Sequence, residues 1–197
     1  MCKVKISKQY PIVEFVTGVL FLSLFLKFQD IFFFNPLSFF ISFSYYALIF
    51  SMLLVVAFYD LRHKIIPDSM SVKIGGLSFL GVFFFSGYVF DPHIPTWLDI
   101  FAGPIVALPF AIFWLISLGK WMGLGDAKLV LSFGWMLGLS SAISGVVVAF
   151  WVGAVVGIWL MLFYKNHGIK SELPFAPFLV LGALASFLFE LQLFSVF

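Results

Sequence analysis

Residues 37–68 read LSFFISFSYYALIFSMLLVVAFYDLRHKIIPD, a run without charge from Leu37 to Tyr59 that ends abruptly in Asp60, Arg62, His63 and Lys64. At about 1.5 Å per helical residue, an apolar run of that length crosses a hydrocarbon core about 30 Å thick. Comparable runs cover Ile12–Phe28 before it and Met70–Phe90, Trp97–Leu118, Ala127–Leu139, Ala142–Tyr164 and Pro177–Phe194 after it. The pattern predicts an all-α polytopic membrane protein with about seven transmembrane helices. Ala127–Leu139 is short for a span, as expected of a helix that begins inside a protein-lined cavity. With 63% apolar and 10% charged residues and a mean hydropathy of +1.15, the 197-residue chain is no ordinary soluble domain, and the spans leave no room for one beside them. The single cysteine, Cys2, makes neither an intrachain disulfide nor, by itself, a zinc site. No signal peptide is expected, because no small-residue cleavage pattern follows the first apolar stretch.

Lysine and arginine set the expected orientation, since positive residues concentrate in cytoplasmic loops. Lys3, Lys5 and Lys8 precede the first span, Arg62, Lys64 and Lys73 follow the second, Lys120 and Lys128 follow the fourth, and Lys165 and Lys170 follow the sixth. All fall on one side; the other holds only Lys27, with Asp30, Asp91, Asp99 and Glu190. The amino terminus is therefore expected in the cytoplasm. Phe32–Phe34 and Phe83–Phe85 read as lipid-facing or packing surface, and Trp97 and Tyr164 fall at span ends where aromatic belts form.

Two carboxylates share the positive face. Asp60 ends the second span, and Asp126 opens the fifth within Gly123-Leu124-Gly125-Asp126-Ala127-Lys128. Taken singly, each is an ordinary solvated residue at a helix end, and Asp126 suits a helix N-cap. Taken together, they form a pair in which one group holds a proton while the other is charged, the requirement for a general acid and a general base acting on one water. Gly123 and Gly125 are expected to let the backbone turn sharply and approach a substrate strand. Asp68, following Pro67, either caps the third span or helps bind substrate. Lys128 acts on Asp126, contacts substrate, or simply snorkels from a helix start. His63 reads as part of the basic loop, His167 and Glu172 as solvated. Glu14, early in the first span, calls for an internal polar partner.

Four ordered segments resemble the bacterial type IV prepilin peptidases, membrane aspartyl proteases of the Gly-x-Gly-Asp class. They are Tyr10-Pro11-Ile12-Val13-Glu14-Phe15-Val16-Thr17-Gly18, Asp60 with Ile66-Pro67-Asp68, Gly123-Leu124-Gly125-Asp126-Ala127-Lys128-Leu129, and Leu173-Pro174-Phe175-Ala176-Pro177-Phe178. The resemblance implies a single membrane-embedded aspartyl peptidase domain over residues 1–197 in a bacterial inner membrane. It implies cleavage of the leader of type IV prepilins or pseudopilins at the cytoplasmic face, with Asp60 and Asp126 as the catalytic pair. Gly123, Gly125, Lys128, Pro67, Asp68 and Glu14 carry over as supporting or substrate-binding positions. No cofactor or metal is expected for peptide cleavage and no nucleic acid as partner. S-adenosylmethionine is expected only if the amino-terminal methylation that many members perform is retained. Such members carry an extra first span and a zinc loop with two cysteine pairs. Cys2 looks like the last of those four, so the start of the chain resembles a member entered at the end of that loop, and zinc binding is not expected. Where members often have a further acidic residue two positions after the first aspartate, this chain has Arg62.

Two other classes fit parts of the pattern. An inactive homologue serving as a scaffold subunit of a pilus or secretion assembly needs neither aspartate nor Gly-x-Gly, both of which are present. A small transporter would place its carboxylates near mid-membrane, whereas these map to one edge.

Overall fold

The computed structural model describes residues 9–120, 122–163 and 174–193. Cys2, the lysines at 3, 5, 8, 165 and 170, Tyr164, His167 and Glu172 lie outside the described residues. The described chain is helical, α1 (Gln9–Phe34), α2 (Pro36–His63), α3 (Asp68–Phe84), α4 (Trp97–Ser117), α5 (Leu124–Leu137), α6 (Leu139–Phe163) and α7 (Ala176–Phe189), with one small hairpin, β1 (Phe85–Ser86) and β2 (Val89–Phe90). Four helices, α1, α2, α4 and α6, are long and apolar enough to cross a membrane. At 14 residues each, α5 and α7 rise only about 21 Å and do not reach across by themselves.

The expected third span, Met70–Phe90, is corrected at its end. Its apolar run continues to Phe90, but the helix stops at Phe84 and the chain folds back as a hairpin pairing Phe85 with Phe90 and Ser86 with Val89. Gly87 (φ +54°) and Tyr88 (φ +70°) form the two-residue turn, in the left-handed region that such tight hairpins require. The hairpin is held at the end of α2 remote from Asp60: Tyr45 stacks on Phe85 at 4.1 Å, and the Phe90 N–H donates to the Ser42 hydroxyl at 2.9 Å. Eighteen residues of helix separate Ser42 from Asp60, so the two ends of the bundle are roughly 27 Å apart.

Local chemistry fixes the helix ends. Asn35 accepts the Ser38 N–H at 3.2 Å and Pro36 opens α2, so only one residue separates α1 from α2. Thr96 and Asp99 form a reciprocal capping box at the start of α4. Phenylalanines join α1 to α2 edge to face, as in Phe25 with Phe39 and Phe21 with Phe43. From α1 only the stripe Leu20, Leu24 and Phe28 is buried.

Small residues bring the other helices into backbone contact, the packing mode available where lipid removes the hydrophobic drive between helices. A Cβ on Gly134 of α5 would lie 2.6 Å from the Ala102 carbonyl carbon of α4, and one on Gly103 of α4 would lie 2.8 Å from the Leu131 carbonyl oxygen. Gly145 of α6 meets Gly182 of α7 in the same way. The shared core gathers Tyr46 and Phe50 of α2, Phe133 of α5 and Phe187 of α7. Much of α1, α4 and α6 faces outward and apolar, including Phe15, Phe33, Leu115, Trp151 and Leu162. With four helices of spanning length and an apolar exterior, this is a multi-pass membrane protein.

Candidate active site

The second span delivers Asp60 to the end of α2, where the helix closes on Lys64 in the left-handed conformation and the Lys64 N–H returns to the Asp60 carbonyl at 2.7 Å. The side chain is 5% exposed, and its Oδ2 accepts the backbone N–H of Ala176, the first residue of α7, at 3.1 Å. That contact joins positions 116 residues apart.

Asp126, 8% exposed, reaches the same place from α5. The sequence suggests it as an N-cap; instead Gly123 caps the helix and Asp126 is its third residue, its N–H donating to the Gly123 carbonyl at 3.2 Å. The Asp126 carboxyl faces the Gly123 backbone and lies within electrostatic reach of Asp60. Both aspartates line one cavity of about 530 Å³ whose walls include Lys64, Ile65, Ile66, Met122, Phe150 and Phe175. Two buried carboxyls in one cavity lined by both polar and apolar groups are the elements for moving a proton to and from one water.

The two glycines part company. Gly123 is extended (φ −73°, ψ 147°), a conformation any residue adopts, and a Cβ there would stand 3.7 Å from Asp126 Oδ2. A Cβ there would make only ordinary contact with the carboxyl, so neither the backbone nor the space at this position demands glycine. Gly125, expected to approach substrate, instead approaches Ile66: a Cβ would sit 2.8 Å from the Ile66 Cβ. Neither atom can swing away, so Gly125→Ala must push the start of α5 off the 65–66 segment. The expected result is a cost of about 1–2 kcal/mol, net of the better helix propensity of alanine. Because that turn carries Asp126, we also expect a larger fractional loss of catalytic rate than of folded protein, checked by comparing specific activity with thermal unfolding in detergent.

The remaining expected positions stand beside the cavity. Pro67, and not Asp68, is the N-cap of α3, its carbonyl accepting the Met70 and Ser71 N–H groups at 3.1 Å each. Asp68 is the first helical residue and pairs with Lys128 at 2.6 Å, joining the starts of α3 and α5. Lys128 is thus directed to Asp68 and not to Asp126. Both side chains are substantially exposed, so the pair contributes no more than about 1 kcal/mol. Glu14 lies on the exposed face of α1, where the described residues offer it no hydrogen bond or ion pair, and the structure does not bring it into the cavity. Depth along a helix is legible in sequence, but the face is set by packing, and α1 turns only Leu20, Leu24 and Phe28 inward.

Three contributors escaped sequence reasoning. Lys64 reads as loop charge, Phe150 is one apolar residue within a span and carries no signal of its own, and Ala176 acts through a backbone N–H that has no side-chain signature. The proline on either side of Phe175-Ala176 was the available signal, since proline next to a helix start marks an ordered terminus.

Comparison with known proteins adds a family. The model described as type IV leader peptidase family matches residues 47–158, which include both aspartates. The prepilin leader peptidase/N-methyltransferase of Xanthomonas campestris pv. campestris is 31% identical over 182 residues, covering 90% of this chain and 58% of that protein. The protein of the same name from Aeromonas hydrophila is 31% identical over 189 residues, covering 92% and 58%. That of Myxococcus xanthus is 29% identical over 180 residues, covering 87% and 48%. The chain thus spans between 48% and 58% of the length of these relatives. No solved structure matches it.

Proposed function

The chain belongs to the type IV leader peptidase family, and from that premise we propose that it is a membrane aspartyl endopeptidase that removes the leader of type IV prepilins or pseudopilins. The observation that carries this reading is the meeting of Asp60 and Asp126 in one cavity, from helices that are far apart in sequence. One carboxylate takes a proton from a water whose oxygen bonds to the scissile carbonyl carbon. The other carboxyl gives its proton to the carbonyl oxygen. Collapse of the resulting diol breaks the C–N bond, the amine leaves with the first proton, and the second carboxyl is reprotonated from the diol. Two carboxyls and a water complete this proton balance.

With this reading go seven helices crossing or entering a bacterial inner membrane, the amino terminus and cavity on the cytoplasmic face where the lysines gather, and one membrane-embedded peptidase domain over residues 1–197. The short α5 starts at Leu124 beside the cavity that its exposed N-cap Gly123 lines, so the non-helical backbone before it is open to water there. S-adenosylmethionine would serve the second activity in the relatives' name, and we assign no residue of this chain to it.

The test is cleavage of a prepilin reporter by the purified chain in liposomes. We expect a single cut at the leader junction, identified by amino-terminal sequencing of the product. A reporter that remains intact with well-folded protein would overturn the assignment.

A further inference from the structure

The two aspartates are held differently, and the difference distributes their roles. α7 begins without a side-chain cap. Of the N–H groups in its first turn, those of Phe178 and Leu179 both serve the Phe175 carbonyl, at 3.1 Å each, and Pro177 has none. The Ala176 N–H is left, and Asp60 Oδ2 accepts it. A buried carboxylate from α2 thus supplies the cap that α7 lacks, at the end of the helix where the peptide dipoles favour negative charge. Because α2 and α7 pack directly, the bond is fixed by tertiary structure. Asp126 also stands at a helix start and faces a backbone N–H, that of Gly123, but both belong to its own first turn, and among the described residues no other helix donates a hydrogen bond to it. A proton on Asp126 therefore disturbs only the local contact with Gly123, whereas a proton on Asp60 weakens the charge-assisted bond that joins α2 to α7.

Building on the peptidase reading above, we infer that the Ala176 backbone N–H is a positioning group that keeps Asp60 as the charged partner. Asp60 is then the base that takes the proton from water, and Asp126 the acid that gives its proton to the carbonyl oxygen. On collapse Asp60 passes the water-derived proton to the leaving amine and Asp126 regains its own from the diol, restoring the starting state. The other charged group lining the cavity is Lys64; α6 and α7 bring none among their described residues.

An ester in place of the Ala176 amide, introduced as lactic acid at position 176 of the full chain, removes this one hydrogen and keeps the side chain. Loss of a hydrogen bond to a charged group is expected to move the acid limb of the kcat profile up by about one pH unit and to lower kcat about tenfold near the limb, with KM unchanged. The same ester at Leu179, whose N–H serves Phe175, leaves the profile in place. A 176 ester whose profile superimposes on that of the unmodified protein would overturn the inference. A second measurement is independent of cleavage. With carboxyl carbon-13 aspartate, the resonance lost in Asp60→Asn should sit at the carboxylate position, and the one lost in Asp126→Asn at the protonated position, across the pH range between their titrations. The reverse order overturns the role assignment even where the reporter is cut. An uncut reporter with the expected order removes the peptidase reading and leaves the asymmetry standing.

Discussion

Asp60→Asn and Asp126→Asn are each expected to reduce reporter cleavage by about a thousandfold or more, and the double variant to be no worse than the more damaged single one. Residues that act as a unit show this non-additivity, because removing either partner already abolishes the step that needs both. Asparagine keeps the volume and most hydrogen-bonding capacity of aspartate, so the fold should persist: in Asp60→Asn the amide oxygen is still offered to the Ala176 N–H. The check is kcat/KM for the four proteins at matched folded concentration. Independent losses that multiply in the double variant would mean that the two carboxyls serve separate steps.

The second large effect concerns stability. Gly134→Val is expected to lower stability by more than about 3 kcal/mol and to cut the yield of folded protein severely. Small-to-large changes in a packed interior typically cost about 1–3 kcal/mol when side chains can yield. Here the obstruction is backbone: the new atoms would meet the Ala102 carbonyl and Gly103 Cα of α4, and nothing short of separating α4 from α5 relieves it. Folded domains have only about 5–15 kcal/mol to lose. Thermal unfolding in detergent, with Gly76→Val on α3 as the comparison, measures the difference, since a Cβ at Gly76 meets nothing within 4 Å. Equal destabilisation at the two sites would show that helix propensity, and not the α4–α5 contact, governs the loss.

The parts of this architecture that were legible in advance are those written in side-chain composition. Long, mostly apolar runs marked the helices, and the clustering of Asp60 and Asp126 among lysines placed both at one end of the bundle. The end of α3 was not legible, because Phe83 to Phe85 continues the apolar pattern while Gly87 turns the chain; lipid-facing helix and packed hairpin draw on the same residues. Partners were the least legible feature. Gly125 reads as a flexible approach to substrate until Ile66 is seen against it, and Lys128 reads as a neighbour of Asp126 until Asp68 claims it. Ala176 offers no side-chain signal, since its contribution is a main-chain hydrogen.

Placing the two buried carboxyls in one cavity has a further consequence for their titration. They should lose their protons in two steps that belong to the pair, and only the singly protonated form is competent for acid–base catalysis. The pH dependence of kcat/KM for reporter cleavage by the unmodified protein therefore tests the central claim most directly. A bell with two limbs is expected; a rate that climbs through one limb to a plateau, as a lone base would give, would contradict it.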